Sequence, residues 1–352
     1  MISLPGGTVI AYDDSSMIRY LDTKTVDDLL TDIDVVAAVE AAQRDHALGR
    51  TVLPPEAYLR WDVDAGWARS LTLPAALGVP TRTAGIKVIN GNIANPGRGI
   101  PRASGLILLF DVETGQVTTV MAAARVSAMR TAAVSIAAIR RLAPRPVTHA
   151  LVVGAGPIGE AHVRMLCTAV PAIRVIWSYD LDGERAAALA SAVTVEGVAV
   201  EAVPDWRRVA GRADAVIAAT TSTDPYLSLT DIRDGAIVVN VGLDDCASDL
   251  LLGADLLVVD SWDLVADDTN RLLGRLIMDG QVGPPGSART ASAQARVDAE
   301  LGHVIAGATA VAPAPDDRVV VNPFGMAVND IAVATAVQQL AVEREAGIFL
   351  ER

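Results

Sequence analysis

Residues 150–166 read ALVVGAGPIGEAHVRML. An apolar run, LVV, feeds three glycines, Gly154, Gly156 and Gly159, which open onto a segment of helical character. Alone, the GxGxxG spacing says little. Its surroundings give it meaning: a strand precedes it, a helix follows, and the next predicted strand, RVIWSYD, ends in Asp180, 21 residues beyond the third glycine. In that order the glycines permit a tight turn and close approach of backbone to a pyrophosphate. The helix start at Pro157, Ile158 and Gly159 supplies positive dipole, with N–H donors from Ile158 and Gly159, and the carboxylate bonds the adenosine ribose. The stretch therefore predicts a dinucleotide-binding Rossmann unit. Asp180 would repel a 2′-phosphate, which favours NAD over NADP, although Arg174 and Arg185 nearby leave NADP open.

The alternation continues downstream through GERAAALASAV, AVEAV, DAVIAATT, AIVVNVG and DLLVVDS. Apolar, β-branched strands separated by helices mark a doubly wound parallel sheet. Ligands of such sheets sit at the carboxyl ends of the strands. Thr220 and Thr221, ending DAVIAATT, are therefore candidate contacts for ribose and nicotinamide, or simply β-branched strand formers.

Upstream the pattern differs. Residues 25–48 carry Leu29, Ile33, Val36, Ala37 and Val39 near the helical period, predicting one amphipathic helix or two in succession, with Gly49 as the stop. Between 51 and 120 short β-prone runs, AYLRW, RSLTLPA, TAGIKVIN, GLILLFD and QVTTVM, are separated by Pro, Gly and Asn, predicting a mostly antiparallel sheet. A long helix is expected from Ser127 to Leu142, before Pro144. The fold expected is thus α/β: an NAD-binding Rossmann domain over 131–315, including the connecting helix, and an α+β substrate and dimerisation domain over 1–130. Residues 316–352 are expected to fold back onto the latter.

Composition narrows the function. The 352 residues are 51% hydrophobic and carry a net charge of −13, which suits a folded acidic protein and disfavours nucleic acid as a partner. No apolar run reaches the roughly 20 residues of a membrane span, and the start, MISLPGGTVIAYDD, does not read as a secretory signal, so a cytoplasmic setting is expected. Two cysteines, Cys167 and Cys246, are too few for a disulfide framework, and the scattered histidines His46, His149, His162 and His303 predict no metal site.

Hydride chemistry needs a group that handles a proton and cations that hold the substrate's anionic groups. Lys87 lies in the apolar run AGIKVIN, where an unpaired ammonium is costly unless it faces a ligand or carboxylate. Arg130, in SAMRTAA, falls near the expected start of a helix, where the dipole disfavours a cation. Snorkelling of Lys87 or a structural ion pair at Arg130 would account for either misfit. Arg60 and Arg102 are further cationic candidates. Asp244 and Asp245 follow AIVVNVG at the carboxyl end of a strand, either in the crevice or as a turn or helix cap.

The segments AGIKVIN, NPGRGIPRASGLILLFDVETGQ, SAMRTAA, VVGAGPIGEAH, VVNVGLDDC and VNPFGMAVNDIA resemble the ornithine cyclodeaminase and mu-crystallin family over nearly the whole chain. The resemblance implies a homodimer with the active site between the two domains. Lys87 and Arg130 would bind substrate, Asp245 with Lys87 would carry catalysis, and Gly325 and Met326 would close over the substrate, with Arg60 a looser match. The family's cyclodeaminases tend to carry Thr after the loop proline and a C-terminal motif like FDSTG. Here the motifs are PRASG, with Arg102 for substrate and Ser104 toward the cofactor, and NPFGMAVNDIA. Both look like the branch that oxidises N-(2-amino-2-carboxyethyl)-L-glutamate to 2,3-diaminopropionate and 2-oxoglutarate. An additional arginine suits that tricarboxylate better than ornithine, which has one carboxylate. Ornithine or lysine cyclodeamination, reduction of a cyclic imine or keto acid, and non-catalytic binding as in mu-crystallin remain the alternatives.

Overall fold

The computed structural model describes residues 17–64, 66–78, 82–290 and 293–352; the first 16 residues of the expected N-terminal domain lie outside the described residues. Strand β1 (Met17–Leu21) leads into two helices, α1 (Thr23–Leu30) and α2 (Val35–Ala47). Each has its own aspartate cap, Asp22 accepting from Thr25 N and Asp34 from Ala37 N, which divides the amphipathic stretch in two. Strands β2 (Thr51–Val52), β3 (Ala57–Val63), β4 (Gly66–Leu77), β5 (Thr83–Asn92), β6 (Ala103–Phe110) and β7 (Val117–Ala122) then form an antiparallel ladder, joined in parallel by β1.

Helix α3 (Ala123–Leu142) follows β7 without a break. It begins four residues before the expected Ser127 because nothing in MAAAR interrupts an alanine-rich helix. Arg130 is consequently the eighth helical residue, beyond the first turn, and the dipole misfit expected there does not exist. The boundary expected at 130/131 falls inside this helix, which packs on β5, β6, α1 and α2 on one side and on the Rossmann unit on the other.

That unit runs β8 (His149–Val153), α4 (Pro157–Ala169), β9 (Val175–Tyr179), α5 (Gly183–Ala192), β10 (Ala199–Ala202), α6 (Arg207–Ala210), β11 (Ala215–Ala218), β12 (Ile237–Asn240), α7 (Ser248–Gly253) and β13 (Leu256–Val259). Then come α8 (Trp262–Asp267), α9 (Leu272–Met278), the short pair β14 (Val282–Gly283) and β15 (Ala295–Arg296), β16 (Ala299–Glu300), α10 (Leu301–Ile305) and β17 (Val319–Asn322). The parallel sheet has the order β10-β9-β8-β11-β12-β17-β13-β16. Its strands alternate between two buried faces: Val152, Ile217, Val239 and Val321 join the core shared with α3, while Leu151, Val216, Val238 and Val320 pack under the helices of the far side. His162 ties α4 to α3, its Nδ1 on Ile158 O at 2.7 Å and its Nε2 on Ser135 Oγ at 2.8 Å; burial holds the ring neutral, with its pKa pushed down to about 4.

One expectation is corrected here. Residues 316–352 do not return as a unit to the first domain, because β17 inserts between β12 and β13 of the Rossmann sheet. VVVN is apolar on both sides, as a central strand must be. Only α11 (Ala327–Glu343) and β18 (Ile348–Glu351) pack on the first sheet, α11 beneath β4 and β5 and β18 antiparallel to β1. Among the described residues no helix is long and apolar enough to cross a membrane.

Candidate active site

The parallel strands end in register: Val153 stands beside Ala218, Ala218 beside Asn240, and Asn322 beside Val259. The segments that follow therefore gather along one edge: the glycine loop, Thr220, Asp245, Asp260 and Pro323–Met326.

At the glycine loop, Gly154 has φ +103°, and a Cβ there would stand 2.6 Å from Ala219 O. A Cβ at Gly159 would strike the Gly154 carbonyl oxygen, whereas one at Gly156 would meet nothing within 4 Å. Two glycines thus allow the turn and the packing of helix on strand, and the middle one leaves open space in front of the N-terminus of α4. Asp180 accepts from Ala155 N at 2.8 Å and Asp182 N at 3.0 Å, which fixes its carboxylate against the loop. These residues fit a dinucleotide. Gly159→Ala should abolish binding of NADH in a fluorescence titration, with the thermal midpoint lowered; retained affinity would remove the loop from the site.

Lys87, Arg130 and Asp330 form a second group. Lys87 Nζ lies 2.8 Å and Arg130 Nε 3.0 Å from the same oxygen, Asp330 Oδ1, while Oδ2 has no partner. Lys87 and Asp330 are fully buried, and Ser127 Oγ is 3.4 Å from the ammonium. Burial brings the Lys87 pKa down to about 8, opposed by the charge of Asp330 and assisted by that of Arg130. Gly325 packs on this group, since a Cβ there would stand 2.9 Å from Arg130 Nη1. Its loop is held by Asp260, which accepts from Phe324 N and Gly325 N at 2.7 Å each, and by Arg271, which donates to Pro323 O and Phe324 O at 3.1 Å and stacks on the Phe324 ring. Burial raises the Asp260 pKa.

Asp245 forms the third group. It is fully buried; Oδ1 accepts from the Thr220 hydroxyl, and Oδ2 has no partner although the Tyr226 hydroxyl is close enough to act on its charge. Burial raises its pKa, against the opposing hydrogen bond from Thr220. A buried carboxylate oxygen without a donor is costly, which makes Asp245 a candidate for a functional rather than a structural role. Asp244 proves structural: it accepts from Leu272 N at 2.6 Å and pairs with Arg275 at 2.8 Å, anchoring α9.

The ornithine cyclodeaminase/mu-crystallin family pattern matches residues 17–345. The chain belongs to this family. Its relatives within the ornithine cyclodeaminase/mu-crystallin family include the N-((2S)-2-amino-2-carboxyethyl)-L-glutamate dehydrogenase of Staphylococcus aureus, 28% identical over 90% of this chain and 92% of that protein. The crystal structure of CmnK superposes with a TM-score of 0.87 at 32% identity, covering 96% of this chain and 98% of its own. The Thermococcus litoralis Delta(1)-pyrroline-2-carboxylate reductase shares the fold, with a TM-score of 0.82 at 23% identity over 94% of this chain and 99% of that one. The chain is an oxidoreductase of the ornithine cyclodeaminase/mu-crystallin family.

The remaining expected site residues of this family member are placed as follows. Arg60 is exposed on β3, a hairpin strand paired only with β4; it stands opposite Arg69 and stacks on Trp67, 4.7 Å from the ring centroid. The Met326 side chain is fully buried in the core and anchors the loop from below. Ser104 pairs with Asn90, an odd number of residues from Lys87, so the pleat turns it to the opposite face of the sheet. Thr220 spends its hydroxyl on Asp245 and accepts from Ser222 N, and Thr221 is exposed beside it. Arg102 is half-buried at the start of β6.

Sequence reading missed Asp330, Asp260, Arg271 and Tyr226. Asp260 obeys the rule used for Asp180, an acid closing an apolar parallel strand. Asp330 is the lone acid within the apolar helix AVNDIAVATAV, the same anomaly that singled out Lys87. Nothing local marks Tyr226. Neither cysteine offers a nucleophile, since burial raises both thiols and Cys246 is wholly enclosed.

Proposed function

We propose that this protein oxidises an N-substituted amino acid with NAD⁺, releasing an amine and a keto acid. Its preferred substrate in this reading is N-(2-amino-2-carboxyethyl)-L-glutamate, giving 2,3-diaminopropionate and 2-oxoglutarate. The observation that carries it is the pairing of two buried cations with a single oxygen of Asp330, beside the Gly325 loop, which follows β17 next to the strand β12 that leads to Asp245. The PRASG and NPFGMA motifs and the S. aureus relative support the substrate.

Gly154, Gly156, Gly159 and Asp180 would hold NAD, with the N–H groups of Ile158 and Gly159 toward the pyrophosphate. When bound, NAD⁺ supplies the hydride acceptor. Lys87 and Arg130 then hold the carboxylate on the reacting carbon, which fixes where its hydrogen points. Asp245 takes a proton from the substrate ammonium, freeing the nitrogen lone pair so that the Cα–H bond breaks toward the acceptor and a C=N bond forms. Its free Oδ2 next aligns water for attack on that bond, and the carbinolamine collapses to amine and ketone, the leaving nitrogen recovering the proton.

Absorbance at 340 nm with NAD⁺ and N-(2-amino-2-carboxyethyl)-L-glutamate, with products identified by mass spectrometry, tests the reading. NADH equimolar with 2,3-diaminopropionate is the expected result. Proline from ornithine without net NADH would replace it with cyclodeamination. NADH consumed with pyrroline-2-carboxylate would replace it with imine reduction, the activity named for the Thermococcus litoralis neighbour.

The same reading includes a homodimer in the cytoplasm, a setting in which free thiols are the rule. The face of the first sheet opposite Lys87 carries Leu59, Leu106, Ile348 and Leu350 at 61%, 41%, 58% and 45% exposure, an apolar patch of the kind subunit contacts cover. Leu106→Glu should convert a particle of twice the chain mass to a monomer in light scattering; an unchanged mass would exclude this face.

A further inference from the structure

We propose that the turn leading into α9 is a strut that sets where Arg130 stands relative to Asp245, with Arg271 and Asp244 as its positioning residues. The strut serves the roles given above to Lys87, Arg130 and Asp245, and so rests on that reading of the site.

It begins one residue before Asp245. Asp244 Oδ1 accepts from Leu272 N at 2.6 Å and Oδ2 from Arg275 at 2.8 Å, so this buried carboxylate caps α9 from another segment of the chain. A helix start ordinarily carries its own Asp, Asn, Ser or Thr, and a cation is the charge its dipole disfavours. Here the residue before Leu272 is Arg271, whose side chain gives the helix no cap. Its guanidinium turns instead to the Gly325 loop: Nε pairs with Asp268 at 3.1 Å, the terminal nitrogens donate to Pro323 O and Phe324 O at 3.1 Å each, and the Phe324 ring lies 4.6 Å away. The cap supplied by Asp244 is what frees position 271 for an arginine.

Both ends are held firmly. A Cβ at Gly274 would stand 1.8 Å from Asp268 O, so α9 sits directly on the turn before it. Asp260, at the end of β13, accepts from Phe324 N and Gly325 N at 2.7 Å each, so donors and acceptors of the loop are both committed to charged side chains. Gly325 in turn lies against the Arg130 guanidinium, since a Cβ there would be 2.9 Å from Nη1 and 3.4 Å from Nη2. Arg130 therefore has Asp330 on its Nε and the loop on its terminal nitrogens. The path from Asp245 to Arg130 is continuous, through Asp244, the start of α9, Arg271 and Gly325. Reacting groups contributed by separate elements need placement to about 0.5 Å, and this path supplies it.

Lys87 reports on Arg130 without any substrate. The sequence holds two lysines, exposed Lys24 and buried Lys87, so protein grown on lysine labelled with ¹³C at Cε gives two NMR signals, told apart by Lys24→Arg. Burial brings Lys87 to about 8, with Asp330 of α11 and Glu56 before β3 raising it and Arg130 of α3 lowering it. In Arg271→Met and in Asp244→Ala the released guanidinium should leave Lys87 and Asp330 to each other, and the Lys87 midpoint should rise in both by about one pH unit or more. Charge alone cannot do this, because losing a cation at 271 would raise the midpoint and losing an anion at 244 would lower it. KM for N-(2-amino-2-carboxyethyl)-L-glutamate should rise about tenfold in both, with kcat changing less, since what is loosened is the hold on the carboxylate. NADH affinity, the control for folding, should remain close to wild type, and Asp244→Asn takes the place of the alanine variant if it does not. A midpoint that stays, or that moves in opposite directions in the two variants, overturns the strut whatever the activity. Failure of the functional reading looks different: both midpoints rise, and wild type with NAD⁺ yields neither NADH nor 2,3-diaminopropionate.

Discussion

Asp245→Asn is expected to lower kcat by about 10²–10⁴-fold, the span of a lost general acid–base group, with NADH affinity unchanged. Asparagine keeps the shape of the side chain and can still accept from Thr220, so the thermal midpoint should move little. What it cannot do is take a proton at the buried Oδ2. Wild-type kcat/KM should fall on the acid side as Asp245 becomes protonated, and that limb should begin above the ordinary carboxylate range because burial raises its pKa. In the variant the limb should vanish. A variant that turns over at the wild-type rate would move the proton-handling role to another group in the crevice, with Tyr226 the nearest.

Asp330→Ala is expected to destabilise the protein by about 3–5 kcal/mol, because it leaves Lys87 and Arg130 buried without their shared counter-ion. Chemical denaturation measures this directly; a loss below about 1 kcal/mol would mean that the cations find water or another carboxylate. The pair also sets a pH dependence. Lys87 titrates near 8 in the folded chain and at 10.5 as a free side chain, so between those values the unfolded chain binds the proton that the native state has released. This site therefore makes stability rise with pH from about 8 to 10.5, the reverse of what a stabilised ion pair would do. Substrate affinity should run the other way, with KM increasing above pH about 8 as the ammonium that holds the carboxylate is lost. In Asp330→Asn the rise in KM should begin at lower pH, since the charge that keeps Lys87 protonated is gone.

What the sequence made legible was local. Gly154, Gly156, Gly159 and Asp180 announce their unit because a turn, a helix start and a strand end all fall within 31 residues of Ala150. Lys87 stood out because a charge in a strand is an anomaly whatever surrounds it. Its partner was another matter: Asp330 is 243 residues away, and only the packing of α11 under β5 joins them. The strand VVVN could be recognised as a strand, but which sheet would take it depended on pairing with β12 and β13, which nothing in its own residues encodes. Ser104 illustrates how register decides: it lies in a strand, where a shift of one residue moves a side chain to the other face.

The insertion of β17 has a consequence for synthesis on the ribosome. Domains commonly fold in the order in which they emerge, at about 5–20 residues per second. Here the strand that joins β12 to β13 is made last of the eight, some 60 residues after β13. Until Asn322 has left the exit tunnel, β12 and β13 each present an open edge, and the loop that carries Gly325 to Arg130 does not exist. The nascent chain must therefore hold half a sheet in waiting, and a premature stop before residue 319 would leave two unpaired apolar edges, the kind of surface that chaperones bind and that otherwise aggregates.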